Sequence, residues 1–250
     1  MNKSKDEPKG KAKGGTMIGR IIYEVVKFLI TAFIITNIVN IILMGALVPR
    51  FSRANKVRDG GIFVKPNAQT VRTPAGSYFE FQQGGGCAGF SSAFVLRHSG
   101  VQIGGEEAFK DVPFQMKGGL AFPKGITGFF KKRGIKMTAC TGNFAALQNE
   151  LEKGRPVIVV IRSFVNKSYL HFATVTGIDE EKVYLADSIQ SWVNVDKDGK
   201  AIEPALDTAP TSGESVYYNR TIPVEEFKKL WNTSMLKMPL YRNMFYVCKA

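Results

Sequence analysis

Residues 80–100, EFQQGGGCAGFSSAFVLRHSG, decide between two folds. Gly84, Gly86 and Gly89 spell GxGxxG ahead of a predicted helix, as a dinucleotide-binding loop does. The same residues set Cys87 at the start of that helix, with Gln82 and Gln83 just upstream. A dinucleotide loop needs a βαβ unit around it and an acidic residue about 20 positions on, at the end of a second strand. Here residues 101–115 read VQIGGEEAFKDVPFQ: the apolar run is too short, and Glu106 and Glu107 come after Gly-Gly, not after a strand. A phosphate loop of the GxxxxGK[ST] type occurs nowhere in the chain. The alternative is a thiolate mount. A helix N-terminus offers unpaired N–H groups and the positive end of the dipole, and both favour the ionised, reactive sulfur. Glycines before it let a substrate approach and keep bulk away from the sulfur. Alone, Cys87 also fits a small buried apolar side chain, so its partners decide.

A nucleophile needs a base, and the base needs an orienting group. The chain has two histidines. His98 lies eleven residues beyond Cys87 on the same predicted helix, about 16 Å along the axis, and reads as an exposed helix-end histidine. His171 opens the predicted strand HFATVTGI (171–178), after the loop 166–170. Asp187 closes the predicted strand KVYLAD (182–187), and residues 177–181 supply a turn between them. If the two strands form a hairpin, His171 and Asp187 meet at its open end, about 5 Å apart. A satisfied strand-end histidine and a turn aspartate are the plainer alternatives. Gln82 or Gln83 could join the Cys87 N–H in holding an oxyanion.

The rest of the pattern is mixed. Helices are predicted after Cys87, over 124–133 with a stop at Gly134, over 144–154 with a stop at Gly154, and over 223–231 opening on Pro-Val-Glu-Glu. Strands are predicted for IKMTAC, PVIVVIRSF, the two hairpin strands and MFYVCK. Helices gather early and strands late, which argues for an α+β domain with an antiparallel sheet. The polar segment 188–220 reads as a long loop.

The net charge of +13 is unevenly placed. Residues 1–58 carry 11 Lys and Arg against 3 Asp and Glu, while the remaining 192 carry 23 against 18. The excess flanks FLITAFIITNIVNIILMGALV (28–48), 21 residues without a charge, about the length that spans a hydrocarbon core. Asn37 and Asn40 interrupt it, and Thr31 and Thr36 can bond back to the helix backbone. We expect a disordered basic tail over 1–16, a transmembrane anchor helix over 17–48, a linker over 49–75 rich in Pro, Gly and charge, and a soluble domain over 76–250. A cleaved signal sequence, with Ser52-Arg53-Ala54 as its site, is the alternative. The N-side is the more basic flank, so the N-terminus is expected in the cytoplasm and the domain outside. A charge placed this way points to a lipid bilayer, not to nucleic acid. Cys87, Cys140 and Cys248 show no metal-ligand spacing, and neither a metal nor a cofactor is expected. Cys140 and Cys248 could pair in an oxidising compartment.

Taken in order, CAGFSSAFVLRHSG, KGRPVIVVIR, HFATVTGIDEEKVYLADS and TIPVEEFKKLW resemble cysteine-peptidase family 39 over roughly residues 78–250. These are the papain-like peptidases that remove bacteriocin leaders after a double glycine, and their stand-alone relatives. The resemblance implies a papain-like fold, Cys87 as nucleophile, His171 as general base and acid, Asp187 as the orienter of His171, and a glutamine in the oxyanion hole. It also implies a peptide substrate cut after small residues. Gly86 and Ala88 depart from the usual neighbours of the cysteine, and the glutamine usually sits six residues upstream. Gln82 is five back and Gln83 four; Gln82 is favoured. No transporter portion follows, so the chain is expected to stand alone. The expectation is a membrane-anchored thiol peptidase. Two alternatives are an acyl or peptidyl transferase using the same thioester, and an inactive papain-like module that binds a peptide or a membrane partner.

Overall fold

The computed structural model describes residues 17–43, 80–82, 85–115, 121–164, 167–189, 194–195, 201–202, 218, 220–233 and 242–249. The expected tail (1–16), the last part of the anchor (44–48), the linker (49–75), the Ser52–Ala54 site and Gln83 lie outside them. The chain divides into two units, residues 1–42 and 43–250.

The first unit holds α1 (Met17–Leu43) up to Ile42. Its stretch Met17–Val39 has a mean hydropathy of 1.8, none of it buried, so the helix is long and apolar enough to cross a membrane. Thr31 Oγ1 donates to Lys27 O, and Asn37 Nδ2 to Phe33 O, both at 2.8 Å. The polar side chains thus satisfy themselves on the preceding turn.

The second unit is an α+β domain. Its helices are α2 (Cys87–His98), α3 (Gly105–Asp111), α4 (Pro123–Lys131), α5 (Phe144–Glu152) and α6 (Val224–Trp231). Its strands are β1 (Lys136–Thr141), β2 (Val157–Phe164), β3 (Lys167–Ile178), β4 (Lys182–Ala186), β5 (Asn194–Val195), β6 (Ala201–Ile202), β7 (Arg220–Pro223) and β8 (Met244–Lys249). Six form one antiparallel sheet in the order β1-β8-β2-β3-β4-β7, and β5 and β6 pair separately.

Each face of this sheet carries a core, which explains why β2 is an unbroken apolar run. Ile158 and Val160 turn to one face, with Phe172 and Tyr246, under α2 and α4; Val157, Val159 and Ile161 turn to the other, under α5 and α6. All five β2 residues are fully buried, each contributing about 1.5–3 kcal/mol. The stops act as expected: Gly134 (φ 73°) and Gly154 (φ 69°) take the left-handed conformation after α4 and α5. Asn143 caps α5 through its side chain, accepting from Ala146 N at 2.9 Å. In α6, Glu225 and Glu226 occupy the first turn and Lys228 the last, and Trp231 Nε1 donates to Met244 O at 2.9 Å.

Four expectations need correction. The strand carrying His171 begins at Lys167, not at His171, so His171 lies inside β3 opposite Ile161. His98 is half-buried, not exposed, and its Nε2 lies 3.0 Å from Gly154 O. The segment after Gly100 contains α3, and the end of the 188–220 stretch is already β7. The glycines do not simply clear space around the sulfur. Gly86 (φ 115°) makes the left-handed entry into α2. A Cβ on Gly89 would sit 2.4 Å from Phe109 Cβ and 2.5 Å from the Phe109 backbone, so Gly89 lets α3 pack against α2.

Candidate active site

α2 is the central helix of the domain, buried from Cys87 to Arg97 even at Ser91, Ser92 and Arg97. It lies against β3, with Thr174 Oγ1 donating to Ser91 O at 3.5 Å. The left-handed turn at Gly86 makes Cys87 the first helical residue, at the positive end of the dipole. Cys87 is 5% exposed.

The hairpin β3–β4 brings in the next two groups. Asp179 makes its turn: Oδ1 accepts from the N–H groups of Glu181 (2.9 Å) and Lys182 (2.7 Å), and Tyr184 Oη donates to Oδ2. Thr174 pairs with Ala186, so Asp187 stands just past the end of β4 and reaches His171 diagonally, not from directly across. His171 Nε2 and Asp187 Oδ1 are 2.7 Å apart. The Cys87 thiol is hydrogen-bonded to the His171 side chain, and with Nε2 on Asp187, Nδ1 is the ring nitrogen left for the sulfur. Cys87, His171 and Asp187 therefore form one line, with His171 3% and Asp187 0% exposed.

Charge within the line follows from these contacts. Burial pulls the His171 imidazolium down, but the Asp187 charge and hydrogen bond, joined by Cys87, carry its pKa up to about 9. Burial pushes the Asp187 carboxyl up. The His171 charge and hydrogen bond, the Arg220 charge and the Ile189 N–H outweigh it, and the carboxyl is held below its ordinary value.

Two neighbours of Asp187 were not found by sequence reasoning. Ile189 N donates to Oδ1 at 3.0 Å, and Arg220 Nη1 donates to Oδ2 at 3.0 Å. Arg220 opens β7, which pairs with β4, so Arg220 stands opposite Leu185. No local pattern marks it.

Gln82 is tied to the same segment. Its N–H donates to Ser188 O at 2.7 Å, and Ser188 Oγ donates to its Oε1 at 2.6 Å. Glu80 fixes the strap from its other end, accepting from Gly105 N at 2.5 Å and pairing with Arg97 Nη1 at 3.3 Å. No disulfide joins Cys140 on β1 to Cys248 on β8. Among the described residues no group of three His, Cys, Asp or Glu side chains could hold a metal ion.

A search of curated proteins gives no match. Several solved structures are similar, two of them as follows. One, described as a C39-like peptidase from Bacillus anthracis, is 14% identical with a TM-score of 0.47, over 76% of this chain and 99% of that one. The other, a double-glycine-motif protease from an AMS/PCAT transporter solved with its leader peptide, is 15% identical with a TM-score of 0.44, over the same shares. The profile of the Peptidase_C39-like family matches residues 64–203, more than half of the sequence, and the chain belongs to that family.

Proposed function

We propose that the protein is a membrane-anchored thiol peptidase that cleaves a peptide substrate with Cys87 as nucleophile, His171 as base and acid, Asp187 as orienter and Gln82 in the oxyanion hole. The observation that carries this reading is the buried hydrogen-bonded line from Cys87 through His171 to Asp187, closed by the 2.7 Å contact. With His171 raised to about 9, the imidazolium is the resting form at neutral pH, beside the sulfur that is to attack.

The chemistry then runs as acyl transfer. The thiolate attacks the scissile carbonyl carbon, and the carbonyl electrons move to oxygen. Gln82 and the Cys87 N–H hold that oxyanion. Ser188 engages the Gln82 oxygen, which turns the amide NH₂ away from Ser188 and leaves it as the donor end. The oxyanion collapses, the C–N bond breaks, and His171 gives its proton to the leaving amine. Water loses a proton to His171, attacks the thioester and releases the acid, restoring thiolate and imidazolium.

α1 supports the anchor. Phe28, Ile30, Phe33 and Ile35 are all more than half exposed, a surface suited to lipid and unfavourable in water. The basic N-side favours a cytoplasmic N-terminus, with the linker (49–75) carrying the peptidase domain (76–250) outside.

The test is alkylation of Cys87 by iodoacetamide, followed peptide by peptide, beside hydrolysis of double-glycine peptides. Wild type is expected to react at neutral pH well faster than a free thiol, and His171→Ala to lose both activities. Alkylation at the free-thiol rate, unchanged by His171→Ala, would sink the proposal. A reporter fused after residue 250 tests the topology: activity confined to the cytoplasm refutes the orientation.

A further inference from the structure

Asp187 has more partners than an orienting carboxylate requires. Its Oδ1 serves His171 and the Ile189 N–H, and its Oδ2 is held by Arg220, itself only 7% exposed. The charged groups that bear on this cluster are Cys87 from α2, His171 from β3, Asp187 after β4, Arg220 from β7 and Glu226 from α6. Without Arg220, a carboxylate and a thiolate would share the buried line with one imidazolium. With it, proton transfer between Cys87 and His171 leaves the four groups net neutral before and after. Arg220 also occupies Oδ2, so the carboxylate cannot turn away from His171 without losing an ion pair.

Resting on the peptidase reading above, we propose that Arg220 is a positioning residue for that reaction: it fixes the Asp187 carboxylate on His171 and balances its charge, so that the thiolate forms at lower pH. A nearby cation favours the deprotonated form of every acid around it. Its loss therefore raises the pH at which the thiolate appears.

The experiment is the pH dependence of Cys87 alkylation by iodoacetamide in the full chain, read by mass spectrometry on the Cys87 peptide, with melting temperatures alongside. Arg220→Lys keeps the charge, and Arg220→Gln keeps a donor without it. The acid limb is expected to stay close to wild type in Arg220→Lys and to move to higher pH in Arg220→Gln. An early wild-type onset left unmoved by Arg220→Gln, with only the melting temperature lowered, overturns this inference and leaves the peptidase reading standing. A wild-type onset at the ordinary thiol value overturns the thiolate reading and this inference together. Should Arg220→Gln not fold, Glu226→Gln supplies the second measurement. It removes the anion that opposes Arg220, so the onset is expected to fall; an unchanged or raised onset refutes the charge-balance account.

Discussion

Replacing Asp187 by Asn preserves the side chain's shape and one acceptor and removes only the charge. Burial alone lowers the His171 imidazolium, and the charge and hydrogen bond of Asp187 do most to raise it to about 9. In Asp187→Asn the charge is lost while the hydrogen bond and the contribution of Cys87 stay, so the midpoint is expected to fall clearly below 9. Each unit of that fall takes about 1.4 kcal/mol from the imidazolium. Alkylation of Cys87 at pH 7 should drop about 10-fold for each unit lost. The same change strands the buried Arg220 guanidinium, since Asp187 is its hydrogen-bonded partner at 3.0 Å. Breaking one side of a buried pair costs about 3–5 kcal/mol, or roughly 10 °C in melting temperature for a domain of this size. The assay is a proton NMR titration of the two histidine rings, with His98 as the internal reference, joined to the alkylation rate. A His171 midpoint that stays near 9 in Asp187→Asn refutes the assignment of its charge to Asp187. An unchanged alkylation rate refutes the link from that charge to the sulfur.

Ser188→Ala removes the hydroxyl that holds Gln82 Oε1, and Gln82→Ala removes the amide itself. Peptide hydrolysis should fall about 10-fold in the first and 100-fold or more in the second, while iodoacetamide alkylation, which builds no oxyanion, stays at the wild-type rate. Equal losses in both assays refute the oxyanion role. Gly89→Ala forces a methyl within 2.5 Å of the Phe109 backbone, so α2 and α3 must separate. A loss of about 1–3 kcal/mol in urea denaturation is expected, and an unchanged midpoint contradicts that packing. Stability should also depend on pH through His171. Its folded pKa is about 9, above the ordinary 6.5, so the imidazolium contribution is complete below pH 6.5 and is lost as pH rises through 9. The urea midpoint should decline across that window in wild type and not in His171→Asn.

The elements legible in the sequence are those whose signals are local. α4 and α5 end at glycines that take positive φ, α6 opens on Pro with two glutamates, and β2 is a β-branched apolar run buried on both faces. α3 and β7 were not legible because their support comes from elsewhere in the chain. α3 has seven residues and no side-chain N-cap of its own. The Gly105 N–H instead bonds to Glu80, 25 positions upstream. β7 has four residues and is held by its ladder to β4, from Lys182 with Pro223 to Leu185 with Arg220. The candidate site divides in the same way. Cys87 at a helix start and His171 and Asp187 flanking one hairpin follow from sequence neighbours. Arg220 stands 33 residues from Asp187, on a strand that only the finished sheet defines.

The glycine spacing in QQGGGCAGF looks like a phosphate loop because both solutions meet the same demand at a helix start. A chain that turns sharply into a helix needs a residue free to adopt positive φ, and Gly86 supplies it at 115°. One turn later, a helix that must approach another backbone closely needs a residue without a Cβ. In a dinucleotide fold that neighbour is a strand, and the space before the helix holds a pyrophosphate. Here the neighbour is Phe109 on α3. The place a phosphate would occupy, at the positive end of the dipole, is taken by Cys87, the first residue of α2. The spacing therefore reports a crowded, electropositive helix start. The group facing that start is His171 on β3, held by Asp187, where a phosphate loop would meet an anion.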